Sequence, residues 1–420
     1  MKLDSIQITN YKSIHHLDLS LSGNSAVIFG INGTGKSTFL SAIVSVFIPF
    51  LNKVLASKRG TEFSSDDVSI GEHELCIIGN IISNEKSFSL QRFFKRIKEN
   101  ERNSKPTWEK SEYEHFSTFF KGAFLSNQGK GMPIFVYYGT NRAVLSIPDK
   151  LESNKYDKLS ALERATTNTV DFKSFFSWYR DRESMETIDM RNSIKAGEEI
   201  RQDIMLSSVQ HAIGAMLEGI SDLQIKRDPI RMTVMKDGNE VRVDMLSDGE
   251  KCTLALIGDL ARRLCLANPS STKPLEGSGI VLIDEIELHM HPTWQRKVLH
   301  VLKTVFPNIQ FIISTHSPQV LGETNDEFLV FAIDADRKEF INIGRLDGAD
   351  SNLILEKYMR TASLSETTQR LIDQINMDIV TDHFTEAEEK LQCLCLITGP
   401  NSEHYILAKG FLERSKLLHA

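Results

Sequence analysis

Residues 30–37 read Gly-Ile-Asn-Gly-Thr-Gly-Lys-Ser, a complete G-x-x-x-x-G-K-[ST] string, and it dictates both the backbone around it and the chemistry it can do. Ala26-Val27-Ile28-Phe29 in front of it predicts a short strand, and the apolar pattern from Lys36 to about Val46 predicts a helix. Strand, glycine loop and helix in that order open an α/β nucleotide-binding sheet. Gly30, Gly33 and Gly35 let backbone N–H groups turn inward around phosphate oxygens, and the helix N-terminus adds positive potential. Lys36 can reach the β- and γ-phosphates, and Ser37 can ligate Mg²⁺. Asn32, Gly33, Thr34, Gly35, Lys36, Ser37 and Thr38 are thus candidate ligands of a nucleotide. A glycine turn formed by chance has no need of this context.

Other strands are predicted at Leu3–Thr9, Ile134–Tyr137, Ile280–Ile283 and Phe311–Ile313, with a crossover helix around Val298–Val305, so both ends of the sequence supply the sheet. The strand Ile280–Ile283 ends in Asp284-Glu285. There Asp284 can hold Mg²⁺ and Glu285 can orient or deprotonate an attacking water. Alone such a pair is a common strand end; joined to the glycine loop it makes an NTPase site. From Ala143 to Ile230 the pattern is mostly helical, with Ile213, Met216, Leu217 and Ile220 at helical spacing. No heptad persists long enough for a coiled-coil arm. Met232–Met235 and Val241–Val243 around Asp237-Gly238-Asn239 read as a hairpin.

Leu246-Ser247-Asp248-Gly249-Glu250 opens a helix, either as a plain cap or as an anion site built from the Ser247 hydroxyl and the Gly249 backbone. This segment resembles the signature motif of ABC-type ATPases. Glycine loop, signature, acidic strand and Ser314-Thr315-His316-Ser317, with its switch histidine, follow in that superfamily's order. Asn10-Tyr11-Lys12-Ser13-Ile14 resembles the opening strand of the RecF/SMC-like branch, which implies that Lys12 and Ser13 lie near the nucleotide. Tyr137–Arg142, Asp171–Trp178, Leu288–Gln295 and Asp350–Leu355 resemble bacterial defence ATPases, above all the PtuA family of Septu-type and some retron anti-phage systems.

The resemblance implies an α/β fold: an ABC-ATPase head with a mixed sheet (lobe I), a helical second lobe and a C-terminal helical extension. The corresponding divisions are 1–142 and 279–345 for lobe I, 143–278 for lobe II and 346–420 for the extension. It also implies ATP with Mg²⁺ held by Ser37 and Asp284, catalysis by Glu285 and His316, and Ser247 and Gly249 acting in trans. A head-to-head homodimer, or a higher oligomer, with a separate HNH-type nuclease as partner follows in the same way. Two departures matter. Tyr138–Arg142 lacks the usual Q-loop glutamine, leaving Asn141 as a stand-in, and Leu288–Pro292 replaces the customary D-loop. Both fit a slow ATPase that uses nucleotide as a switch.

The competing functions are a stand-alone RecF-like DNA-repair or DNA-loading ATPase and an OLD-type nuclease. The latter needs a Toprim domain, and the residues after Arg345 show no strand-borne acidic set; Asp334-Ala335-Asp336 has the spacing without a domain around it. The chain is therefore expected to cut no nucleic acid itself. With 49 basic against 56 acidic residues and a net charge of −7, only a local patch could meet DNA. From Lys86 to Lys110, eight basic residues stand against three glutamates, with Phe93, Phe94 and Ile97 interleaved. This predicts an amphipathic helix with a solvated basic face, and Arg92–Lys110 is the candidate DNA contact. His289 and His291 beside Asp284, Glu285 and Glu287 offer a metal-cluster alternative.

The five cysteines, with no C-x-x-C pair, fit neither a disulfide framework nor a zinc knuckle. No apolar run spans a bilayer and no secretory signal opens the sequence, which places the expected protein in the cytoplasm, away from membranes. Two helices, Glu386–Ile397 and Glu403–Leu418, carry apolar stripes at Ala387, Leu391, Leu394 and Cys395 and at Ile406, Leu407, Phe411 and Leu412. They are the expected element of assembly or nuclease docking.

Overall fold

Alternation broken by a register shift between Leu3 and Ser5 builds the first sheet: Leu3, Ile6, Ile8 and Tyr11 are buried along β1 (Lys2–Tyr11), while their neighbours face outward or lie half-buried. In this computed structural model, residues 1–57, 63–96, 107–125, 131–142, 156–334, 339–359 and 364–418 are described. β2 (Ile14–Ser20) pairs antiparallel with β1, and the buried β3 (Ser25–Phe29) leads through the glycine loop into α1 (Lys36–Val54). β4 (Glu74–Ser83), β5 (Lys86–Lys95) and β6 (Thr107–Trp108) complete an antiparallel sheet of order β2-β1-β4-β5-β6. Behind it, α2 (Lys110–Phe120) brings Phe116 and Phe120 to Phe50, with ring centroids 4.6 and 5.0 Å away.

The central sheet draws strands from distant parts of the chain. After β7 (Ile134–Tyr138) come α3 (Phe172–Ala196) and α4 (Ile204–Met216), then the antiparallel trio β8 (Ile220–Arg227), β9 (Ile230–Lys236) and β10 (Asn239–Arg242), and α5 (Asp248–Ala267). β11 (Gly279–Ile283), α6 (Pro292–Val305), β12 (Ile309–Thr315), α7 (Pro318–Leu321), β13 (Phe328–Ile333) and β14 (Phe340–Asn342) follow. The sheet order is β14-β13-β3-β12-β11-β7, parallel except for the β13–β14 edge pair. Every residue of β3, β7, β11 and β12 is buried, which explains their largely apolar composition, with Ser25, Gln310, Ser314 and Thr315 as the small or polar exceptions.

Register decides what these strands present. Ile283 stands opposite Ile313 and Tyr138, and Thr315 opposite Phe29, so four strands end along one edge. Ligands of open α/β sheets gather at this carboxyl edge. By length and apolarity α1 could cross a bilayer. It is instead the core helix behind the glycine loop, with Phe39, Leu40, Ile43 and Phe47 fully buried and Phe47 stacked on Phe135 at 4.0 Å.

Two expectations need correction. Lys86–Lys95 is a strand, not a helix, because Phe88, Leu90, Arg92 and Phe94 are buried at a period of two. Arg92 donates to the Ser45 carbonyl at 2.9 Å and its guanidinium lies 4.1 Å from the Phe63 ring centroid. It cannot serve a DNA backbone, and residues 97–106 of that basic segment lie outside the described residues. Ile220 does not continue the helix of Ile213 and Met216; it begins β8, whose bulged pairing with β9 buries Ile220, Leu223 and Ile225. The region 143–278 thus carries a three-stranded sheet besides its helices. Of Asp334-Ala335-Asp336, the last two residues lie outside the described ones.

Residues Met1–Ala349 form one unit and Asp350–Ala420 another. The second holds α8 (Ser351–Leu353), α9 (Glu366–Val380), α10 (Phe384–Thr398) and α11 (Glu403–Leu418). Ile375, Ile379, Ala387, Leu391, Leu394, Ala408 and Leu412 make its core. Ile406, Leu407 and Phe411 do not join Leu412 inside; they are 55%, 63% and 43% exposed. The three-helix packing uses the narrower stripe Tyr405, Ala408 and Leu412, at i, i+3 and i+7. All five cysteines are free thiols, Cys252 and Cys265 buried and Cys393 exposed.

Candidate functional site

Gly35 is the N-cap of α1 with φ +111, a backbone that L side chains rarely adopt, and a Cβ there would stand 3.3 Å from Ser13 Oγ. Ser13 therefore lies against the loop. Among the described residues no side chain caps α1, and its first turn holds no acid, so its leading N–H groups and positive dipole end are open to an anion. Lys36 is buried and its ammonium donates to the carbonyls of Gly30 at 2.6 Å and Ile31 at 3.1 Å. Burial lowers its pKa, opposed by the charges of Glu285, Glu287 and Asp284. Thr34 Oγ1 closes the turn on the Ile31 carbonyl at 2.8 Å; Asn32, Gly33 and Ser37 are exposed, and Thr38 is half-buried.

The aligned strand ends bring the acids to this loop. The Asp284 N–H donates to the Tyr138 carbonyl at 2.8 Å, and its buried carboxylate accepts from Ser314 Oγ. The same Ser314 hydroxyl accepts the Glu285 N–H at 2.9 Å. Glu285 is half-buried with φ +48. Buried Glu287 accepts from Thr315 Oγ1 and the His316 N–H, both at 2.7 Å, and its Oε1 lies 3.0 Å from His316 Nδ1. Buried Arg142 donates to the carbonyls of Asp284 and Glu285.

Other candidates sit elsewhere or are engaged locally. Lys12 Nζ is 3.5 Å from Asp67 and 5.2 Å from the Tyr11 ring centroid. Ser247 makes a capping box on α5, donating to Glu250 Oε2 at 2.7 Å and accepting the Glu250 N–H at 3.3 Å. Glu250 in turn meets Lys236 at 2.7 Å. Gly249 is required by close approach, since a Cβ there would fall 2.2 Å from the His289 carbonyl. His291 caps α6 through Nδ1, His289 is exposed, and so is Asn141.

Reading the motifs assigned no role in hydrolysis to Arg142, Glu287 or Ser314. Glu287 had a signal, an acid two places after Glu285, but it pointed equally to a metal cluster. Only the register of β11 on β12 shows which group it meets.

A family model described as "AAA domain" matches residues 5–206, and one described as "AAA domain, putative AbiEii toxin, Type IV TA system" matches residues 160–322. The chain is 32% identical over 379 residues to a retron Vc95 probable ATPase of Vibrio cholerae serotype O1 biovar El Tor, covering 78% of this chain and 72% of that one. It is 30% identical over 483 aligned positions to a retron Ec83 probable ATPase of Escherichia coli, covering 99% and 87%. To a Septu protein PtuA of Bacillus thuringiensis it is 25% identical over 177 residues, covering 41% and 43%.

Proposed function

The chain belongs to the family of the retron Vc95 and Ec83 probable ATPases and is an ABC-type ATPase related to PtuA; from that membership we propose that it is the ATPase and sensor subunit of an anti-phage defence complex whose cutting is done by a separate HNH-type nuclease. The observation that supports the chemistry most is the meeting, at one sheet edge, of Lys36, the Asp284-Glu285 pair and the Glu287–His316 pair.

Lys36 exchanges the carbonyls of Gly30 and Ile31 for the β- and γ-phosphates of ATP. Glu285 orients the water and takes its proton as the water oxygen bonds to the γ-phosphorus and the bond to the ADP oxygen breaks. His316, steadied by Glu287, faces the transferred phosphoryl group. Ser37 at the head of α1 and Asp284 at the end of β11 are hard oxygen donors of the kind Mg²⁺ takes and would hold it. When bound, the ion neutralises charge on the phosphate oxygens. Ser247 and Gly249 of a second copy close the site in trans, and turnover is slow enough for nucleotide to act as a switch. Exposed Ile406, Leu407 and Phe411 support a docking role for the second unit.

The test is phage protection by the chain co-expressed with a candidate HNH nuclease from its own genome. Lys36→Ala is expected to abolish protection while the two proteins still co-purify. Full protection by that variant, or no association with the nuclease, defeats the proposal.

A further inference from the structure

We infer that Arg142 is a positioning residue for hydrolysis, gripping the main-chain carbonyls of Asp284 and Glu285 so as to fix where the Glu285 carboxylate stands. The inference rests on the ATPase reading, with Glu285 as the group that orients water, and adds a residue to it. Arg142 is only 4% exposed, and a buried guanidinium is retained at a cost in desolvation. Its hydrogen bonds run to two successive carbonyls, Asp284 at 2.8 Å and then Glu285.

Those carbonyls belong to the turn by which the chain leaves β11, where Glu285 has φ +48. A left-handed backbone is uncommon for a non-glycine residue and carries some strain. Here the Glu285 N–H is bound by Ser314 Oγ at 2.9 Å and its C=O by Arg142, so both peptide groups are pinned. Arg142 is itself anchored: its N–H donates to the Thr140 carbonyl at 3.0 Å, and Tyr138, which ends β7 four residues earlier, donates its hydroxyl to Asp259 of α5 at 2.8 Å. Both bonds leave one terminal nitrogen, Nη2, which the planar guanidinium holds at a set reach and direction; the ammonium of a lysine here would sit on a flexible stem without that fixed geometry.

The experiment compares Arg142→Lys and Arg142→Gln with Glu285→Gln in the full chain, measuring ATP affinity by calorimetry and kcat and KM by phosphate release. Arg142→Lys keeps the buried charge and guards against a variant that fails to fold. The expected result is ATP affinity within about threefold of the parent and kcat lowered about tenfold or more, with KM little changed. Combined with Glu285→Gln, Arg142→Lys is expected to add no further loss. Unchanged kcat in folded Arg142→Lys, or a fully additive loss in the double variant, overturns the inference. If Glu285→Gln itself retains turnover, the underlying assignment of Glu285 fails instead.

Discussion

The carboxylate of Glu287 holds His316 at two points: Oε1 accepts the His316 N–H at 2.7 Å and stands 3.0 Å from its Nδ1. Its other oxygen accepts from Thr315 Oγ1 at 2.7 Å, so one buried acid ties the turn after β11 to the end of β12. Engaging Nδ1 leaves Nε2 of the exposed imidazole to act on the phosphoryl group in the proposed mechanism.

Glu287→Gln keeps the shape of this contact but cannot accept at both oxygens. Turnover is expected to fall about tenfold while ATP binding persists, because the loss is of orientation at His316 rather than of phosphate contacts. Steady-state kinetics with parallel calorimetry measures both quantities. Undiminished kcat would show that the pair only braces the strand ends.

Lys36→Ala removes the only side chain of the glycine loop that carries a positive charge. ATP affinity is expected to drop about a hundredfold, ~2.8 kcal/mol, in titration calorimetry. An affinity equal to that of the parent chain would place the nucleotide elsewhere.

Trans action by Ser247 makes a mixing prediction. Neither Lys36→Ala nor Ser247→Arg chains are expected to turn over ATP alone, but a mixed dimer retains one composite site with both residues intact. Recovery of a fraction of parental activity on mixing is the expected outcome. Mixtures as inactive as their components would mean that Ser247 serves its own α5 as the capping residue observed here.

Asp259 is fully buried between Arg262 and Arg263, bonding their guanidiniums at 2.6 and 2.7 Å and accepting the Tyr138 hydroxyl. Burial alone raises its pKa, yet Arg263 and Arg262 hold it below the ordinary range. A carboxylate depressed in the folded state contributes stability above its unfolded pKa and loses it as pH falls through the lower folded value. Thermal melts from pH 7 to 5 are thus expected to show no loss from this group. Asp259→Ala strands two buried cations and is expected to cost about 3–5 kcal/mol, read as a lowered melting temperature at pH 7.

How much of this was legible differs element by element. The glycine loop, the strand before it and the helix behind it could be read directly, because the motif prescribes a backbone and leaves little choice to its surroundings. Asp284-Glu285 could be found at a strand end for the same reason. At Lys86–Lys95 the density of basic residues points to a helix face, but the alternation of Phe88, Leu90, Arg92 and Phe94 decides for a strand. Cross-strand pairing with β4 then placed Arg92 indoors.

By itself the sequence determined the local backbone of the phosphate loop and the chemical identity of the groups that could act there, since both follow from residues adjacent in the chain. Tertiary structure decided which groups meet. Arg142, Asp284-Glu285 with Glu287, and Ser314–His316 lie at or just beyond the ends of three strands that parallel pairing brings into register, with Ile283 opposite both Ile313 and Tyr138, so that Arg142 reaches carbonyls 142 and 143 residues away. Hydrogen bonds of that span depend on how whole strands pack, which no local spacing in the chain encodes.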